Sequence, residues 1–209
     1  MSRRRDPSLR LNNHFQRKIN TRNLRERFLI ICEGERTEPN YFRKFPLASK
    51  YIKVIGKGYN TVSLVGEAIA EKEANGDGEY DQVWCVFDKD SFSDKDFNEA
   101  IALAKKNKIK CAYSNEAFEL WYLLHFDYHH AAISRNLYSE KLSERLSCQY
   151  KKNAQDMYFT LLDKQKDAIR NAENLLKSYD PHNPAKNNPC TTVHLLIQEL
   201  LKSGPGFKN

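Results

Sequence analysis

Short apolar runs alternate with longer amphipathic stretches through the first half of the chain. Phe28-Leu29-Ile30-Ile31-Cys32 reads as a buried strand. It ends in Glu33-Gly34-Glu35-Arg36-Thr37-Glu38-Pro39, where the glycine permits a tight turn and Pro39 suits the first turn of a helix. The pattern from Asn40 to Lys50 predicts that helix, with Tyr41, Phe42 and Phe45 facing inward. Tyr51–Ile55 is a second strand, and Thr61 an N-cap for a helix over 62–73 with Val62, Leu64, Val65, Ala68 and Ile69 as its apolar positions. Val83–Phe87 is a third strand. Ser93 with Asp96 resembles a capping box and opens a helix through Lys106, with Phe97, Ile101, Leu103 and Ala104 on its inner side. Ile109–Tyr113 is a fourth strand. Regular alternation of this kind predicts an α/β, Rossmann-like parallel sheet of about four strands, with right-handed crossovers and flanking helices.

The second half changes character. Residues 115–126 predict a dense aromatic helix packed on the sheet, and residues 134–147, 155–178 and 191–203 predict amphipathic helices, with Ser134 and Thr191 as caps. The turn-rich stretch from Asp180-Pro181 to Asn188-Pro189 is a loop. The expected organisation is an N-terminal arm (1–26), an α/β core (27–130) and a helical extension packed on that core (131–209).

Composition narrows the class. The chain has 209 residues, 40% hydrophobic and 11% aromatic, and no run approaches the roughly 18 apolar residues of a membrane span. The Arg-rich start has no apolar segment of the secretory kind. Five cysteines are scattered and never in a CxxC spacing, which argues for a reducing cytoplasm and against a zinc ribbon or disulfide framework. The formal charge of +7 lies wholly in residues 1–27, where nine basic residues meet two acids, while the remainder is balanced. Arg3, Arg4, Arg5, Arg10, Arg17, Lys18, Arg22 and Arg25 thus form a basic arm suited to a polyanion, nucleic acid above all; the plainer alternative is a solvated terminus.

The chemistry gathers at two strand exits. Glu33 follows the first strand, and Asp88 and Asp90 follow the third. Parallel sheets bind ligands beyond the carboxyl ends of their strands. In extended chain Asp88 and Asp90 would point to one side, with Lys89 to the other. If the strands are neighbours, three carboxylates converge, and such a cluster repels itself unless a cation occupies it. A hard divalent ion, Mg2+ or Mn2+, suits oxygen ligands of this kind. Glu33 could ligate the ion or act as a general acid/base; the plainer alternative for the aspartates is that they open the next helix.

These residues resemble a known family. Glu33-Gly34 followed by Asp88-Lys89-Asp90 is similar to the Toprim pattern, found in metal-dependent modules of topoisomerases, primases and OLD-type nucleases. More narrowly, Cys32-Glu33-Gly34-Glu35-Arg36-Thr37-Glu38-Pro39-Asn40-Tyr41-Phe42, Phe87-Asp88-Lys89-Asp90, Ser114 to Phe126 and Asn188-Pro189-Cys190-Thr191-Thr192-Val193 resemble the RloB-like family from about residue 28 to 202. Glu116 departs from that pattern, which favours Pro there. The resemblance implies a Toprim-like fold and a metal-dependent nuclease acting in bacterial anti-phage defence by abortive infection, with Glu33, Asp88 and Asp90 as catalytic and metal-binding residues. It also implies an ATPase on a separate chain, since no GxxxxGK[ST] stretch occurs here. DNA, RNA and tRNA all stand as substrates, and the oligomeric state is open.

Other residues are weighed individually. Glu119 either joins the carboxylate crevice as a further metal ligand or is solvated. Glu35 and Glu38 flank the crevice loop, either supporting the metal-binding residues or paired with Arg36. His125 is a candidate for a supporting position, and its i, i+4 partner His129 would allow a metal pair were Asp127 and His129-His130 not better read as a helix end. Trp84 and Trp121 read as core. Two other functions compete: a haloacid-dehalogenase-type phosphatase with Asp88 as nucleophile, and a non-catalytic nucleic-acid-binding subunit working through the basic arm.

Overall fold

The computed structural model describes residues 25–204, apart from residues 59, 60, 77 and 91. Most of the basic arm, Arg3 to Arg22, therefore lies outside the described residues; Arg25 is exposed at their edge.

Five strands form one sheet in the order β2-β1-β3-β4-β5. They are β1 (Phe28–Cys32), β2 (Ile52–Gly56), β3 (Gln82–Asp88), β4 (Lys110–Asn115) and β5 (Cys190–Thr191). The first four pair in parallel, as the alternation of elements predicts, while β5 runs antiparallel to β4 through Ser114↔Thr191 and Asn115↔Cys190. The fifth strand is an addition to the expected four. Two residues are too few to display a period of two, and Thr191 instead reads as a helix cap. Its hydroxyl does accept a bond from the Val193 N–H at 3.2 Å, so the side chain serves both the sheet edge and the start of the next helix.

The period of two divides β1 and β3 cleanly between two cores. Phe28, Ile30, Cys32, Trp84 and Val86 pack on one face with Tyr41, Phe42, Phe118, Trp121 and Leu196. Leu29, Ile31, Val83, Cys85 and Phe87 pack on the other with Leu64, Val65, Phe97 and Ala104. The second face is covered by α2 (Thr61–Ala74) and α3 (Asp94–Lys106). Ser93 caps α3 as expected, its Oγ accepting the Asp96 N–H at 3.1 Å. Val62, expected inside, is 41% exposed; it lies in the first turn of α2, off the stripe made by Leu64, Val65 and Ala68.

On the first face lie α1 (Thr37–Phe42), α4 (Glu119–Leu123), α5 (Arg135–Leu146), α6 (Met157–Leu161), α7 (Gln165–Lys177) and α8 (Val193–Ser203). Three helices differ from expectation. The first is one short element rather than a helix to Lys50. The aromatic segment is helical only over α4, because chain buried on all sides has no polar face to mark where a helix begins and ends. The helix expected over 155–178 is interrupted by a 3₁₀ turn, Leu162–Lys164. So short a turn barely moves the hydrophobic phase, so the sequence pattern runs through it unbroken. Trp84 and Trp121 are core residues, 3% and 0% exposed, and all five cysteines are free thiols.

Gly56 ends β2 where the β1–α1 loop crosses it. A methyl group there would sit 2.7 Å from the Gly34 carbonyl oxygen and 2.8 Å from the Glu35 Cα, both backbone atoms that cannot step aside. Gly66, exposed in α2, has nothing within 4 Å of the corresponding position. Gly56→Ala should therefore lower the unfolding free energy by about 1–3 kcal/mol, whereas Gly66→Ala should raise it by about 0.5–1 kcal/mol. Urea unfolding of the two variants beside the wild type checks both signs.

Candidate active site

The sheet order places β1 between β2 and β3, so the chain leaves β1 towards one side and continues from β3 towards the other. Such a switch point opens a crevice at the carboxyl ends of the two strands. The β1–β3 ladder runs to Cys32↔Val86 and continues one residue further, with the Glu33 N–H donating to the Val86 carbonyl at 2.8 Å. The Asp88 N–H then donates to Glu33 Oε2 at 3.0 Å. One backbone group thus orients Glu33 against the end of the strand that carries Asp88.

Asp88 shares the parity of Trp84 and Val86 and so faces the helix-rich side. Beyond it the chain is not extended: β3 ends at Asp88, and Asp90 has φ of 37°. The expectation that both aspartates point one way by strand geometry is thus replaced by a turn. The turn still brings both to Arg135, whose Nη1 bonds Asp90 Oδ2 and whose Nη2 lies 3.6 Å from Asp88 Oδ2. Lys89 points away, as the alternation requires, to Asp94 at 3.2 Å and to the ring face of Phe97.

A cavity of about 410 Å3 opens here, lined by Glu33, Glu35, Glu38, Asp88, Asp90 and Glu119 together with Arg36, Arg135 and Lys152. Glu38 and Glu119 are buried, 6% and 5% exposed. Glu119 enters from α4 and accepts a hydrogen bond from the Tyr150 hydroxyl at 3.2 Å. Lys152 arrives on a loop pinned through Asn153, which takes the Thr37 hydroxyl on its Oδ1 at 2.8 Å and the Asn40 amide on its carbonyl at 3.1 Å. Gly34 leaves room for the Glu38 carboxylate; a side chain there would collide with it.

Burial raises the pKa of three of these carboxyls, Glu33, Glu38 and Asp88. Burial pushes Glu33 up to about 7; the Asp88 N–H opposes this, and the charges of Glu38 and Asp90 add to it. Burial also raises Asp88, reinforced by Glu38, Glu119 and Glu33 and opposed by Arg135. Glu38 is raised for the same first reason, with Glu119 adding and Lys152 and Arg135 opposing. For Arg135 itself, burial works against the charge, but Asp90 and Asp88 outweigh it and hold the guanidinium protonated.

Of the residues singled out from the sequence, Glu33, Asp88, Asp90, Glu119, Glu35 and Glu38 all line this cavity, with Glu35 on its exposed rim. His125 is not among the lining residues. It is buried, its Nδ1 lies 2.9 Å from the Trp121 carbonyl, and burial lowers its pKa to about 4. Arg135, Lys152 and Asn153 escaped sequence reasoning, and Thr37 reads from the sequence only as part of the loop motif and helix start. Arg135 and Lys152 belong to the helical half, with no motif linking them to the strand exits.

Among the described residues, no group of three His, Cys, Asp or Glu side chains is already disposed as metal ligands. The donor chemistry nonetheless suits a hard cation: six carboxylates and three basic groups line one cavity, and burial with neighbouring charge raises the pKa of Glu33, Glu38 and Asp88. Charge of this kind is relieved by protons or by a divalent ion.

The same shifts set a pH dependence. A carboxyl with a folded-state pKa above its unfolded value binds its proton more tightly in the folded protein, so its contribution to stability is lost as pH rises between the two values. The buried His125 and His194, both lowered to about 4, act in the opposite direction over part of that range. The informative quantity is therefore a difference. Relative to Glu33→Gln, the metal-free wild type should lose thermal stability as pH rises from about 5 to about 8. Melting curves of both proteins in chelator check this, and parallel curves would count against it.

No curated protein and no solved structure matches the chain. One protein-family model does, that described as RloB-like protein, over residues 28–200. That span includes all five strands and every acidic side chain of the cavity, and the chain belongs to the RloB-like protein family.

Proposed function

We propose that the chain is a Toprim-type nuclease, dependent on Mg2+ or Mn2+, that hydrolyses phosphodiester bonds in DNA or RNA, tRNA included. We further propose that it acts in the cytoplasm as an effector of anti-phage defence, alongside an ATPase on a separate chain. The observation that carries the reading is the gathering of Glu33, Asp88, Asp90 and Glu119 in one cavity at the switch point of the sheet. Among the described residues no helix is long and apolar enough to cross a membrane.

Glu33, Asp88 and Asp90 would hold the ion, with Glu119 lining the same cavity. Bound there, a divalent ion would supply Lewis-acid stabilisation of a phosphoryl oxygen and lower the pKa of water. The chain's own residues would do the rest. The Asp88 N–H fixes one oxygen of Glu33, which suits that carboxylate to take or give a proton at a defined place. Arg36, Arg135 and Lys152 put positive charge at the cavity's edge, where it can draw in and orient a phosphate. The cluster of neighbouring acids favours a cation between protein and substrate over a lone nucleophilic aspartate.

Calorimetric titration with Mn2+ and Mg2+ should give dissociation constants in the range of about 1 μM to about 1 mM for the wild type, as for sites of a few carboxylates. The heat should disappear in Asp88→Asn/Asp90→Asn. Cleavage of mixed DNA and tRNA by the same samples, with any ATPase partner supplied, should disappear with it. Equal ion binding in both proteins would overturn the reading. A trapped phospho-aspartate on Asp88 would instead point to phosphatase chemistry, and salt-dependent nucleic-acid binding indifferent to the double substitution would point to a binding subunit.

A further inference from the structure

Arg135 is held by more than its ion pairs. It is the first residue of α5, and its backbone N–H donates to Glu116 Oε2 at 3.2 Å. The Glu116 carbonyl accepts the Asp90 N–H at 3.4 Å, and Oε1 of the same carboxylate lies 3.4 Å from the Asn188 side-chain amide that donates to it. One residue of the β4–α4 connection therefore presents both partners, Asp90 through its carbonyl and Arg135 through its carboxylate. The guanidinium so placed reaches Asp90 and Asp88 together, the two carboxylates assigned above to the divalent ion. Asp88 is 10% exposed at its side chain, whereas Arg135 is 38% exposed. Asp88 is buried, whereas Arg135 and Asp90 both reach solvent, Asp90 being 41% exposed.

We propose that Arg135 is a resident counter-cation that competes with the divalent ion for Asp88 and Asp90, and that it must turn out of the crevice when the ion enters. The inference rests on the functional reading above, since it needs the aspartates to be the ion's ligands. The physical argument concerns charge and space. The planar guanidinium hydrogen-bonds Asp90 through Nη1 and sets its charge 3.6 Å from Asp88 Oδ2 through Nη2. A divalent ion that takes Oδ2 of these aspartates needs the lone pairs the guanidinium faces, and its charge repels the guanidinium's at the same place. Without either, Asp88 would be left buried against Glu33, Glu38 and Glu119 with no cation beside it. Arg135 thus lets the ion-free crevice exist, at the expense of ion affinity. Once released it stays at the cavity it lines, its backbone held by the Glu116 bond.

The test compares Mn2+ affinity, by calorimetry on the full chain, for the wild type, Arg135→Gln and Arg135→Lys. Competition predicts that both variants bind the ion more tightly, by about fivefold or more, the size of an ordinary coupling between two sites. Lysine keeps the charge but loses the fork that bridges two carboxylates, so Arg135→Lys separates displacement from simple repulsion. If Arg135→Gln tightens binding and Arg135→Lys matches the wild type, long-range charge explains the effect and the proposal fails. Weaker binding in the variants would also overturn it, showing that Arg135 organises the ligands. Absence of ion binding in all three proteins would instead defeat the functional reading itself. Melting curves of each protein in chelator and in excess Mn2+ supply a second readout: competition predicts that Mn2+ raises the midpoint of Arg135→Lys more than that of the wild type.

Discussion

The crevice depends on the parallel pairing of β1 with β3. Glu33 and Asp88 are distant in sequence, and nothing local brings them together. The ladder does so through the Cys32↔Val86 pairing and the Glu33 N–H bond that extends it. Register here is strongly specified, because a slip by one residue would send Trp84 and Val86 to the α2–α3 face and Val83, Cys85 and Phe87 to the other. Both faces are apolar, but they are shaped differently. One holds a large aromatic cluster around Tyr41, Phe118 and Trp121, the other a smaller layer built on Leu64, Ala68 and Phe97. The packing that stabilises the sheet therefore also positions the carboxylates.

The two halves of the chain are less separable than their sequences imply. The α/β half supplies Glu33, Glu38, Asp88 and Asp90. The later half supplies Arg135, Lys152 and, through Tyr150, the bond that holds Glu119. Asn153 locks the loop that carries Lys152 onto Thr37 and Asn40 of the first half. The helical portion is in this sense one wall of the crevice. Most of its members also pack into the same aromatic cluster as β1 and β3, so wall and sheet share a core.

The fold was legible in the sequence where a single period carried the information. Strands β1 to β4, α2, α3, α5 and α8 all follow from alternation of two or 3.6, and the capping bond of Ser93 follows from residue type alone. What escaped was whatever lacks a period: the two-residue β5, the 3₁₀ turn after α6, and the extent of α4 within chain buried on every side. The acidic residues of the cavity were legible in part: exits of parallel strands share one edge, so Glu33, Asp88 and Asp90 converge if the two strands are neighbours, and the pairing of β1 with β3 supplies that condition. The basic residues were not. Arg135 and Lys152 look like any surface residues of amphipathic helices and loops, and only tertiary folding brings them to the cavity that the acids line. His125 is the converse, a residue with chemical potential whose neighbours turn out to be Trp121 and the core.

The balance of charge across the cavity then constrains what the crevice can be. Two like charges about 4 Å apart, at an effective dielectric near 20, repel by about 4 kcal/mol, so several acids sharing one small space cannot all stay ionised on the strength of the three basic groups around them. Arg36 and Lys152 are both exposed and screened by water, which leaves the half-buried Arg135 as the main compensation from within the chain. Burial first, with the neighbouring charges adding to it, raises Glu33, Glu38 and Asp88 and so favours their protonated forms. A cation that entered would remove the reason for those protons to be there, so ion binding and proton release at this crevice are one linked event. Burial serves that linkage directly. Were Glu38 and Glu119 on the surface, water would screen the repulsion, and neither a guanidinium nor a metal ion would be called for.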